Sequence, residues 1–187
     1  PLLTTQAFGR TMYILSSTTS TNDIVRDLAQ HSAPEGTAVV AEHQTQGRGR
    51  HGRSFVSPVG VGIYVSLLVR PQADTQRLPQ LTLAVAVATA EALAEYSALP
   101  VRLKWPNDVW IGSRKACGIL IEQSDRAPGR LVVGIGLNVN TQFNSAPEEL
   151  RSIATSLSGE SGQQFSLQDV LVRLLQRWEI NIDQQRN

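Results

Sequence analysis

Ten consecutive residues, Gln44-Thr45-Gln46-Gly47-Arg48-Gly49-Arg50-His51-Gly52-Arg53, hold three glycines and three arginines. Glycine lets a main chain fold closely around a ligand with its N–H groups exposed, and guanidinium groups grip phosphate or carboxylate oxygens in a planar fork. The chemistry favoured is nucleotide phosphate binding. The spacing matches neither the Walker nor the dinucleotide-binding glycine pattern. A solvated loop or an arginine-glycine RNA-binding tract is the competing reading of this segment alone.

A second group of polar residues follows at Lys104-Trp105-Pro106-Asn107-Asp108. Alone, Lys104 and Asp108 read as a surface lysine and a turn residue. Lys115 changes the weighing. It opens the otherwise apolar run Ala116-Cys117-Gly118-Ile119-Leu120-Ile121, and a cation near a sheet surface requires an anionic partner. Gly118, Gly134 and Gly136 remove side chains from strands, as a close ligand or a simple bulge would require. Cys117 reads as a small buried hydrophobe, and His31, His43 and His51 lack metal-ligand spacing.

The elements that must position these residues follow from hydrophobic periodicity. Residues 12–15 form a short strand, and Ser20, Thr21 and Asn22 offer capping oxygens to a helix over about 22–31. Strands are expected at 38–42 and 61–69, with the basic segment between them, and a helix packed deep against a sheet at 78–96. Further strands fall at 101–105, 109–111, 116–122 and 131–139. Ser166 with Asp169 starts a closing helix whose apolar stripe is Leu167, Val170, Leu171, Leu174, Leu175 and Trp178. This order predicts an α+β fold, a mixed sheet packed against helices, in a single domain over residues 1–187.

Composition sets the outer bounds. With 17 Lys and Arg against 16 Asp and Glu, no global field calls for nucleic acid or an anionic membrane. The longest apolar run, Leu81 to Ala94, is broken by Thr82, Thr89 and Glu91, so no membrane span is expected. One cysteine excludes an internal disulfide framework and suits a reducing cytoplasm. The chain opens on Pro1, with neither an initiator Met nor a charged-then-apolar signal, as expected of a sequence processed or cut from something longer.

Taken in order, Ser20-Thr21-Asn22, Gln44 with Gly47–Arg53, Lys104–Asp108, Arg114–Leu120 and Gly134-Ile135-Gly136-Leu137-Asn138 resemble the catalytic domain of biotin protein ligases. The resemblance covers residues 12–140 and implies a class II synthetase-like fold of the biotin/lipoate ligase type. It implies the substrates biotin and ATP with Mg2+, biotinyl-5′-adenylate as intermediate, and a lysine of a biotin carboxyl carrier protein as acceptor. Carried over by position, Ser20, Thr21, Asn22, Gln44, Arg48, Gly49, Arg50, Lys115 and Gly118 contact biotin. Arg48, Arg50, His51, Arg53, Phe55, Lys104, Asn107 and Asn138 contact ATP, and Mg2+ accompanies it near Asp108. Lys115, Arg50 and Asp108 are the expected catalytic residues: Lys115 holds the biotin carboxylate and α-phosphate, the loop of Arg48, Gly49, Arg50 and His51 closes over the adenylate, and Asp108 steers the carrier lysine.

The sequence departs from the family pattern in three places. Phe55 replaces a common tryptophan, His51 replaces a frequent arginine, and the chain ends soon after the last helix, so that neither the usual small β-barrel nor an N-terminal DNA-binding segment is expected. The alternatives are a lipoate or octanoate ligase or transferase of the same superfamily, and a biotin-binding fragment without transfer activity. Docking of a carrier or a second copy at a sheet edge is physically reasonable.

Overall fold

The computed structural model describes residues 2–70, 78–97, 100–124, 127–144 and 146–184; Pro1 lies outside them. Seven strands form one sheet: β1 (Met12–Leu15), β2 (Ala38–Ala41), β3 (Gly62–Val69), β4 (Val101–Lys104), β5 (Asp108–Ile111), β6 (Arg114–Gln123) and β7 (Leu131–Asn138). Their spatial order is β1-β2-β3-β7-β6-β5-β4. Only β1 and β2 run parallel, joined through helix α1 (Thr21–Gln30), and every other neighbouring pair is antiparallel. The sheet is therefore mixed and the fold α+β, as the element order predicts.

Alternation along the strands divides the side chains between two faces. Ile63, Val65, Leu67 and Val69 of β3 join Val133, Ile135 and Leu137 of β7 in the larger core. That face is covered by α2 (Leu78–Ala94) and α5 (Leu167–Gln184). Trp178 is 1% exposed and donates its indole N–H to Thr89 Oγ1 at 2.9 Å, which joins the two helices and satisfies the buried ring nitrogen. On the opposite face, Val25 and Ala29 of α1 pack against Val39, Leu68 and Val132 in a smaller core. Helix α1 covers only part of this face. Tyr64, Ser66, Gly134, Gly136 and Gly118 share this face further along the central strands, and the three glycines line the floor of a cleft.

Several boundaries differ from the periodicity reading. Helix α5 runs past Trp178 because Ile182, one turn further, extends the buried stripe. Two short helices, α3 (Glu148–Arg151) and α4 (Leu157–Ser161), occupy the connection between β7 and α5. Ser166 caps α5 by accepting from the Asp169 amide at 3.2 Å. Ser20 occupies the N-cap of α1, yet its hydroxyl makes no capping bond. The cap comes from outside the helix, with Gln44 Oε1 accepting from the Thr21 amide at 2.9 Å.

Candidate active site

All the residues expected to contact biotin or ATP line one cleft of ≈ 520 Å³. Its polar end is assembled where α1 begins. Gln44 Oε1 accepts from both the amide and the hydroxyl of Thr21, and Gln44 Nε2 donates to Ser57 Oγ at 3.1 Å. Ser66 Oγ lies 2.7 Å from Thr21 Oγ1 and 2.5 Å from Asn22 Oδ1. Thr21, Asn22 and Ser66 are each less than 5% exposed. The result is an oriented set of amide and hydroxyl groups, suited to a small ring that both donates and accepts hydrogen bonds.

Beside this end three strand positions, Gly118, Gly134 and Gly136, lack side chains. Gly118 pairs with Gly136 across β6 and β7, and Ser66 with Gly134 across β3 and β7. A Cβ on Gly134 would stand 2.1 Å from Asn22 Oδ1, and one on Gly136 would stand 2.5 Å from the Phe55 ring. The glycines thus admit Asn22 and Phe55 down to the main chain, where Phe55 also meets Tyr64 edge to face at 6.3 Å between centroids. Phe55, expected at the nucleotide, is part of the cleft floor between the polar end and the cations. An apolar ring there suits a hydrocarbon segment of a ligand.

The cationic part depends on a bulge. Val109 of β5 pairs with Cys117, but the next residue, Trp110, pairs with Lys115. Ala116 is the extra residue, so Ala116 and Cys117 both enter the larger core. The irregularity turns Lys115 into the cleft instead, which a regular strand would not do. Lys115 Nζ lies 2.7 Å from Asp108 Oδ1, so the anionic partner that its position requires is supplied within the chain. The Lys115 main chain is also held from the far side. Its amide donates to Ile153 O, and its carbonyl accepts from the Thr155 amide, both at 2.8 Å.

Lys104 lies over the Trp110 ring, 4.1 Å from its centroid. Asn107 and Asn138 line the cleft, but their amide groups donate to main chain: Asn107 to Ile119 O at 2.7 Å and Asn138 to Thr155 O at 3.0 Å. Both positions, expected to contact ATP, hold the walls in place. Burial pushes the Cys117 thiol up to about 12, consistent with an inert core residue.

The basic segment folds as a finger rather than a disordered loop. The Phe55 amide donates to Gly47 O, Arg48 bridges Ser54, and the Gly49 amide donates to Arg53 O. A single 3-10 turn at Arg50–Gly52 forms the tip, with His51 in the left-handed region at φ 56°. Arg50, His51 and Arg53 are exposed at this tip. Arg48, at the base, makes two short bonds to the Asp23 carboxylate, 2.8 and 2.6 Å. Those bonds hold the Asp23 carboxyl below its ordinary value of 3.8.

Sequence reasoning missed Ser66, Asp23 and Glu122. Ser66 has one visible signal, a hydroxyl inside the apolar run of β3; Asp23 and Glu122 carry none, because only the fold brings them to Arg48.

The family model for the biotin/lipoate A/B protein ligase family matches residues 14–140. The chain is 41% identical over 176 residues to the bifunctional ligase/repressor BirA of Bacillus subtilis, covering 92% of this chain and 54% of that protein. It is 37% identical to the biotin–[acetyl-CoA-carboxylase] ligase of Mycobacterium tuberculosis over 95% of this chain and 66% of that one. The chain therefore spans about half to two thirds of the length of these relatives. Among solved structures, the biotin protein ligase of Aquifex aeolicus in complex with biotin and ATP superposes with a TM-score of 0.84 at 36% identity, covering 95% of this chain and 72% of that one. The Leishmania major biotin protein ligase in complex with biotinyl-5-AMP gives 0.77 at 26% identity, covering 94% and 76%. With a seven-stranded mixed sheet, a glycine-floored cleft and these matches in agreement, the chain belongs to the biotin/lipoate A/B protein ligase family.

Proposed function

We propose that this chain is an ATP-dependent biotin protein ligase that forms biotinyl-5′-adenylate and transfers biotin to a lysine of a carrier such as a biotin carboxyl carrier protein. The observation that carries this reading is one cleft with an oriented amide–hydroxyl end, an apolar floor and a lysine beyond it. The order corresponds to the three parts of biotin: a cyclic urea, a hydrocarbon chain and a carboxylate.

In the first step a biotin carboxylate oxygen bonds to the α-phosphorus of ATP while the bond to pyrophosphate breaks. Lys115, aimed by the Ala116 bulge, is suited to hold carboxylate and α-phosphate oxygens together, which offsets their repulsion and fixes the line of attack. Arg50, His51 and Arg53 at the finger tip are available to the other phosphate oxygens and to cover the adenylate against water. Mg2+ enters with ATP. Asp108, the one carboxylate among the described lining residues, would hold it, and the ion would supply neutralisation of the phosphate charge. In the second step the carrier amine attacks the mixed-anhydride carbonyl, loses its proton and displaces AMP, and we assign to Asp108, at the cleft wall, the orienting of that amine.

The carrier would approach along an edge of the sheet, where β1 or β4 also offers a surface to a second copy. No described helix is long and apolar enough to cross a membrane, and we place the reaction in the cytoplasm, where ATP and a reduced Cys117 belong together. The direct test is biotin-dependent exchange of labelled pyrophosphate into ATP, repeated with lipoate and octanoate. Exchange with biotin alone is the expected result; exchange with lipoate or octanoate in preference would replace this reading.

A further inference from the structure

Helix α1, the finger and strand β6 meet at four charges. Arg48 pairs bidentately with Asp23, and Arg48 Nη2 lies 3.6 Å from Glu122 Oε2. Arg26 bonds to Asp23 at 2.8 Å and to Glu122 at 3.0 Å. The group is formally neutral, and each carboxylate serves both guanidinium groups. Glu122 Oε2 also accepts from Asn22 Nδ2 at 2.6 Å, while Asn22 Oδ1 meets Ser66 Oγ at 2.5 Å. A continuous chain of polar contacts therefore runs from the base of the finger to the amide–hydroxyl end of the cleft.

We propose that Asp23 and Glu122 are positioning residues that clasp Arg48, making the first arginine of the finger its anchor rather than an anion ligand, and that the same clasp orients Asn22 for recognition of the substrate ring. The activity part of this rests on the biotin-ligase reading; the anchoring part does not. The clasp separates two roles within one basic segment. Arg48 fixes the base, and the exposed Arg50, His51 and Arg53 remain to meet phosphate. Side-chain exposures of 27–36% leave the four charges partly solvated, and ion pairs of that kind add little to global stability. Their loss is therefore read in the order of the finger and in ligand affinity rather than in Tm.

The experiment compares Asp23→Asn, Glu122→Gln, Arg48→Gln and the double variant D23N/R48Q with wild type. Asp27→Asn, an exposed residue on the same helix, removes one charge outside the clasp. Without ligand, trypsin cleavage after Arg50 is followed by mass spectrometry. Asp23→Asn and Arg48→Gln should each accelerate it about tenfold, on the scale of one lost charge-assisted hydrogen-bond pair, and the double variant should be no faster than either single one. With biotin and ATP, Glu122→Gln should raise KM for biotin about tenfold while kcat for pyrophosphate exchange stays within about twofold, the signature of lost binding rather than lost chemistry. Wild-type cleavage rates in Asp23→Asn, additive rates in the double variant, an equal effect of Asp27→Asn, or an unchanged KM in Glu122→Gln would overturn the clasp. Absence of biotin-dependent exchange in the wild type overturns the ligase reading instead, and the cleavage rates still decide the anchoring.

Discussion

Lys115 Nζ lies 2.7 Å from Asp108 Oδ1 across strands β6 and β5, so the cleft lysine already has a counter-ion within the chain. A substrate carboxylate and phosphate must share or replace that partner. Lys115→Ala is expected to lower biotin-dependent pyrophosphate exchange by roughly 10²–10³, the cost of losing a preorganised charge at the reacting oxygens. Asp108→Asn should leave exchange within about tenfold of wild type but slow transfer to the carrier further, as a residue orienting the amine requires. Single-turnover assays of the two half-reactions measure both. Equal losses in both half-reactions for Asp108→Asn would remove its proposed role in transfer.

Gly134 faces Asn22 so closely that alanine cannot be added without moving the amide. A Cβ there would stand 2.1 Å from Asn22 Oδ1 and 2.8 Å from its Cγ. Displacing Asn22 breaks its contacts with Ser66 and Glu122, so Gly134→Ala should weaken biotin binding by at least about tenfold, the equivalent of one or two hydrogen bonds. Titration calorimetry is the appropriate measurement. Wild-type affinity would mean that the polar end is not where biotin's ring binds.

Arg50 is exposed at the tip of the finger, away from the Asp23 anchor. Arg50→Gly removes a cation and adds main-chain freedom where the adenylate is to be covered. The expected outcome is release of the activated intermediate, seen as biotin on lysines of bystander proteins by mass spectrometry. Labelling confined to the carrier lysine would contradict the covering role.

Cys117 is fully buried, and its thiol is pushed up to about 12 from 9.0 by desolvation, with Lys115 acting weakly in the opposite sense. The folded state holds the neutral thiol, so this group's contribution to stability is complete below pH 9.0 and declines as pH rises from there towards about 12. Iodoacetamide at pH 8 should leave Cys117 unmodified in the folded protein and modify it in guanidinium. Modification at equal rates in both states would show that the strand opens locally.

Much of this arrangement is legible in residue order. The period-two strands and the stripe from Leu167 to Trp178 have single solutions, the glycine-arginine finger and Lys115 identify themselves by being poorly explained as structure, and Lys104–Asp108 gain weight only beside Lys115. Other features depend on distant pairing. Nothing in Lys115-Ala116-Cys117 reveals a bulge, because which residue is extra depends on the partner strand β5. Helices α3 and α4, of four and five residues, are too short to complete a period. Arg48 and Arg50 look alike in sequence, and only the fold brings Asp23 and Glu122 to the first of them. The resemblance assigns Phe55 to the nucleotide, and only the fold shows that it lies against the strand positions where Gly136 and Gly118 lack side chains.

The Lys115 amide donates to Ile153 O rather than to a neighbouring strand of the sheet. Its hydrogen exchange is then governed by opening of the 153–155 segment, not by melting of the β-sheet. A single amide thus becomes a built-in reporter, in which deuterium uptake at Lys115 measures how long the connection between β7 and α5 stays closed, independently of turnover.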